Sequence, residues 1–183
     1  MIGGAFSASA IASMFQGCVA PPAGEVWKPD FLSVDEGKLV TQIVDIVIPP
    51  SDEVAGGVEA LVPQFIDRYF SLMLKKEEEV GLDEEKFFRD GAKEFLAEFK
   101  KANGKSFDKA SAEERLAYLK EEDKKFVNAE GTTWFGALKE ITYRGFFNSE
   151  VGVTEVLKFD PVPGNYDGCV PLSEINGIWA TIR

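Results

Sequence analysis

The sequence predicts an all-α protein: a single bundle of five to six helices over residues 31–157, followed by an irregular, Pro/Gly-rich C-terminal arm over 158–183. Three observations point there. Apolar residues recur at three- and four-residue spacing through five segments, Ser-x-x-Glu boxes open two of them, and no segment alternates apolar and polar residues over the length of a strand. With 183 residues, of which 45% are hydrophobic, the chain suits one domain with one core.

The elements follow in order. In "LSVDEGKLVTQIVDIVIPP", Ser33 and Glu36 stand at capping-box spacing, Leu39, Val40, Ile43, Val44 and Val47 share a face, and Pro49-Pro50 end the helix. "SDEVAGG" reads as a loop. "VPQFIDRYFSLML" tolerates Pro63 in its first turn and sets Phe65, Ile66, Tyr69, Phe70 and Met73 in helical register. "DEEKFFRDGAKEFLAEFKKANG" carries a stripe of Phe88, Ala92, Phe95, Leu96 and Phe99, with acids leading, lysines trailing and Gly104 beyond the last turn. "SAEERLAYLKEEDKKFV" has a second capping box, Ser111 with Glu114, and is expected to bury Leu116 and Leu119. "TTWFGALKEITYRGFF" places Trp134 or Phe135, Leu138, Ile141 and Gly145 on one side, Gly145 marking either a close backbone approach or a bend. Phe146 and Phe147 are consecutive, so one helix face cannot bury both, and one of them is a candidate contact for a partner.

Composition narrows the chemistry. Thirty-one acids against twenty Lys and Arg give a net charge of −11, a poor match for nucleic acid or anionic lipid. The chain has no histidine, which excludes a Ser–His–Asp triad, a Cys–His pair and imidazole metal ligation. Two distant cysteines make neither a zinc cluster nor a Cys-x-x-Cys redox pair. The acid runs 77–79, 83–85 and 121–123 sit beside lysines and read as solvated helix faces. Asp160, Asn165 and Asp167 lack the spacing and closing Glu of a calcium loop, so Asp167-Gly168 reads as a turn. No metal and no cofactor is therefore expected on this chain.

Residues 1–18 are small, apolar and uncharged, too short to span a bilayer as a helix and similar to the core of an export signal without its basic end, which a start upstream of Met1 would supply. "MFQGC" is an imperfect lipoprotein box, making Cys18 a candidate lipidation site, and residues 19–30 read as a tether. Export to an oxidising compartment also suits sparse cysteines. In "FDPVPGNYDGCVP", prolines stiffen the arm, so that it loses little entropy on docking to another protein.

Two blocks, "IPPSDEVAGGVEALVPQFIDRYF" and "LKEITYRGFFNSEVGVTEVLKFDPVPGNYDGC", closely resemble the gluconate 2-dehydrogenase subunit 3 family, over about residues 33–171. The second block carries the specific part: Phe146, Phe147 and Ser149, then Pro161, Pro163, Gly164, Tyr166, Asp167, Gly168 and Cys169. The resemblance implies a non-catalytic small subunit that binds, stabilises and helps export a large FAD-dependent sugar or polyol dehydrogenase of the glucose–methanol–choline class. A cytochrome c subunit, with its haem, is a candidate third member. It also implies a periplasmic complex, associated with the membrane through its partners or through a lipid on Cys18. Subunits of this kind often carry a twin-arginine export signal, and no Arg-Arg precedes the apolar run here. Under this reading Phe146, Phe147, Pro161, Pro163, Tyr166, Asp167 and Cys169 contact the partner. Cys169 then has three candidate states: an intersubunit disulfide, a free buried thiol, or a bridge to Cys18 that lipidation would forbid. The alternative is a free-standing helical lipoprotein that binds a ligand or another partner. A self-sufficient carboxylate enzyme is disfavoured, because the sequence shows no nucleophile motif and no phosphate-cradling glycine loop.

Overall fold

A computed structural model describes residues 27–74, 80–158, 169, 171 and 178–179. Among these lie five α-helices: α1 (Val34–Val47), α2 (Val62–Leu74), α3 (Val80–Asn103), α4 (Ala112–Asn128) and α5 (Trp134–Phe147). A 3-10 turn, Phe107–Lys109, links α3 to α4, and a π-helical turn, Gly152–Val156, follows α5. The bundle expected from the apolar periodicity is the fold found.

Local chemistry sets the helix ends. Both capping boxes form: Glu36 N–H donates to Ser33 Oγ at 3.2 Å while Ser33 N–H donates to Glu36 Oε2 at 2.8 Å, and Ser111 with Glu114 repeats the exchange. Thr133 caps α5 through Gly136 N–H, a cap that has no Glu three residues on and so no box. Gly104 closes α3 with φ +70°, the left-handed geometry that favours glycine after a helix.

Helix α5 lies at the centre and packs against α1, α2, α3 and α4. The core joins Val40, Ile43 and Val44 of α1, Val62 and Ile66 of α2, Phe88, Phe95 and Phe99 of α3, and Phe135, Leu138 and Phe146 of α5. Aromatic rings run through it in series. Phe70 stands 4.8 Å from Phe88, Phe88 5.8 Å from Trp134, Trp134 5.0 Å from Phe95 and Phe95 5.5 Å from Phe107, each off parallel as ring quadrupoles prefer. Gly91 leaves room for the Trp134 ring and Gly136 for that of Phe126.

Four expected burials come out differently. Leu116 is exposed, because the inner side of α4 runs through Tyr118, Leu119, Glu122 and Phe126. Leu96 and Met73 lie at the outer margins of their stripes and are also exposed, while both Trp134 and Phe135 are buried. Between α3 and α4, burial, joined by the Glu122 and Glu98 carboxylates, pushes the Tyr118 phenol up. The hydrogen bond that Lys125 Nζ donates to Glu122 Oε1, at 2.6 Å, holds the ammonium above its ordinary range.

The chain approaches α1 along a seam between α2 and α3. Asp67 of α2, 4% exposed, accepts three backbone N–H groups there, from Asp30, Phe31 and Leu32, at 2.8–2.9 Å. Arg89 of α3 bonds Glu85, Glu36 and the Phe31 carbonyl, and its guanidinium lies over the Phe31 ring at 4.7 Å. Burial would lower the Arg89 pKa, but the two carboxylates more than offset it and the group is raised.

Among the described residues the expectation of no sheet holds but for one ladder of two-residue strands. β1 (Leu157–Lys158) pairs in parallel with β2 (Ile178–Trp179), Leu157 opposite Ile178. The described residues on either side of 159–177 are thus neighbours in this ladder.

Candidate functional site

Helix α5 and the turn after it settle the consecutive phenylalanines. Phe146 is 4% exposed and belongs to the core, whereas Phe147 is 39% exposed. Phe147 stands 6.3 Å from Tyr143, itself 40% exposed, so the two rings form an aromatic ridge on the outside of the bundle. On the opposite side, the absent Gly145 side chain admits the Phe65 ring and Val62 of α2. Gly145 marks a close side-chain approach within the core, not a bend.

After the ridge the chain turns sharply. Ser149 Oγ donates to the Phe146 carbonyl at 2.6 Å and accepts from Gly152 N–H at 3.1 Å. A Cβ on Gly152 would run into the Phe146 carbonyl and the Phe147 Cα, both backbone, so only glycine fits. The π turn then delivers the chain to β1, from which the segment holding Pro161, Pro163, Tyr166 and Asp167 departs. Those four residues, like Cys18, lie outside the described residues. Cys169 is described, and it is exposed.

Two concavities flank α5. One is a groove of about 490 Å³ between α2, α3 and α5, lined by Tyr69, Phe70, Phe87, Trp134 and Ile141 with Arg144 at its rim. Trp134 Nε1, buried beneath it, has no hydrogen-bond partner among the described residues. The other is a notch of about 340 Å³ between the loop before α2 and the turn after α5. The loop there ends in a Schellman motif: Val62 N–H donates to the Gly57 carbonyl and Leu61 N–H to that of Val58, each at 3.0 Å. Leu61 occupies the position where such a motif usually has glycine. Its φ is +59°, which costs a branched side chain about 1 kcal/mol.

The acid runs expected to be solvated carry ion pairs with lysines. Glu121 pairs with Lys124, Glu122 with Lys125 and Asp123 with Lys139, although Glu122 itself is buried. Among the described residues no group of three His, Cys, Asp or Glu side chains stands ready to hold a metal. No helix among them is long and apolar enough to cross a membrane. Residues 77–79 lie outside the described part.

Sequence reasoning missed the Asp67 clamp and the Leu61 strain. A lone Asp between Ile66 and Arg68 gives no signal of burial. "VEALVP" does offer one clue to the turn at Leu61, since the proline at 63 is suited to the first turn of a new helix.

The described residues thus form a helical domain with an exposed aromatic ridge, Tyr143 and Phe147, on the outside of its central helix. Residues 34–164 match the family model for gluconate 2-dehydrogenase subunit 3. The chain belongs to that family, whose name is that of a subunit of a dehydrogenase complex. No curated protein and no solved structure matches the chain.

Proposed function

We propose that this chain is the non-catalytic small subunit of a periplasmic sugar or polyol dehydrogenase, binding and stabilising a large FAD-dependent subunit of the glucose–methanol–choline class and helping to export it. The family match over residues 34–164 carries the reading. The flavin belongs to the partner, and a cytochrome c subunit with its haem would take the electrons onward. Membrane association comes through the complex or a lipid on Cys18.

The ridge of Tyr143 and Phe147 supplies the apolar contact, as exposed aromatics do at the centres of interfaces. Phe146 supports it from inside. The segment 159–177 extends the contact through Pro161, Pro163, Tyr166 and Asp167, and exposed Cys169 forms a disulfide with the large subunit. The test is reconstitution. The purified chain should bind no flavin and reduce no dye with any sugar, yet raise the yield and thermal midpoint of its large subunit when the two are made together. Dehydrogenase activity from the chain alone would sink the proposal.

One observation favours a second reading, a free-standing ligand-binding lipoprotein: the aromatic groove with the unpartnered Trp134 Nε1 beneath it. Its volume suits a small ligand, but exposed Phe87, Glu140 and Arg144 leave it open on one side.

A further inference from the structure

Leu61 sits in the left-handed conformation of a Schellman motif, where glycine would be relaxed. The strained residue does not bury its side chain in return: it is 48% exposed. Strain that the fold itself does not use is a pointer to function. Leu61 forms one wall of the notch, with Phe65 of α2 as an apolar neighbour and Ser149 and Val151 of the turn after α5 opposite. Glu59 and Glu150 also line it, both exposed, and neither has an ion pair among the described residues. The notch is continuous in sequence with the π turn and β1, and so with the segment that bears Cys169.

We propose that this notch is an anchor point for the large subunit, and that it takes an apolar side chain flanked by a lysine or arginine. Leu61 and Phe65 grip the apolar group, while Glu59 and Glu150 meet the cation. The Glu59 and Glu150 carboxylates select this occupant over a purely apolar or an acidic one, because like charge at a desolvated rim is repelled. The inference rests on the accessory-subunit reading and deepens it, by naming the surface and the chemistry it recognises.

The experiment uses the full chain and the flavoprotein that co-purifies with it. Complex formation is titrated for the wild type, Leu61→Gly and the double variant Glu59→Lys/Glu150→Lys, and each isolated chain is melted. Leu61→Gly should keep or raise the melting midpoint, since glycine relieves the strain, yet weaken the complex about tenfold or more. The double charge reversal should weaken it several-fold at low salt, and less at high salt. Unchanged affinity for Leu61→Gly, with the wild type binding normally, overturns the inference alone. A midpoint lowered by about 5 °C or more would also overturn it, by making Leu61 a support of the fold. A wild-type chain that captures no flavoprotein overturns the accessory-subunit reading and this inference together.

Discussion

The Asp67 carboxylate accepts the Leu32 backbone N–H at 2.8 Å, joining two points 35 residues apart. The same carboxylate takes the N–H groups of Asp30 and Phe31, so one side chain satisfies three successive amides. A buried amide without an acceptor is costly, and a charged acceptor forms the stronger hydrogen bond. The seam therefore fixes the backbone of residues 30–32 just before α1. Asp67→Ala should lower the unfolding free energy by about 2–3 kcal/mol, and Asp67→Asn by about half that, in urea denaturation. Equal losses for the two would argue against the carboxylate geometry as the cause.

Gly152 has the least tolerant backbone position in the turn after α5. Because a Cβ would meet main-chain atoms and not a flexible side chain, Gly152→Ala should cost about 2–4 kcal/mol. It should also raise amide exchange across 149–158, where the turn hands the chain to β1. A melting curve like that of the wild type would contradict the packing described.

The two phenylalanines should separate fold from function. Phe146→Ala removes a core ring and should destabilise the isolated chain by about 3 kcal/mol or more. Phe147→Ala should change its stability by less than about 1 kcal/mol, yet weaken capture of the large subunit. If Phe147→Ala left capture untouched, the ridge would not be part of the interface.

The second capping box gives a pH dependence with a definite sign. The Lys105 ammonium, together with the Ser111 N–H, holds the Glu114 carboxyl below its ordinary value of 4.5. A carboxyl depressed in the folded state contributes stability that is present above the unfolded value and lost as pH falls through the folded one. The difference in melting midpoint between the wild type and Glu114→Gln should therefore be constant above about pH 5 and shrink toward zero as the pH falls below 4.5. A difference that persists or grows in acid would contradict this.

Local signals made the helices legible. Ser33 with Glu36 and Ser111 with Glu114 announce their own hydrogen bonds, and Gly104 announces a left-handed residue. The stripes of α1 and α3 contain the right core residues, since a 3.6-residue period finds the centre of a buried face. It does not find the edge, which is why Leu96, Leu116 and Met73 were expected inside. Width depends on how close the neighbouring helices stand, and that is tertiary information. Asp67 and Leu61 were hidden for a related reason. Their roles depend on a backbone segment arriving from elsewhere and on a dihedral angle, and residue type reports neither. β1 and β2 are two residues each, too short for any alternation to show. Of the candidate interface, the exposure of one phenylalanine followed from the helix period alone. The parts in Pro161, Pro163, Tyr166 and Asp167 rest on the family pattern.

The central claim is that this chain works bound to a large flavoprotein. Its most direct test is to purify the tagged chain under native conditions from its own cell envelope, run a non-reducing gel and analyse the Cys169 peptide by mass spectrometry. The account predicts a flavin-containing partner in equal amount, released from the chain by reductant. Co-purification with a reduced Cys169 would keep the subunit and remove the disulfide. Recovery of the chain alone, without flavin, would contradict the account.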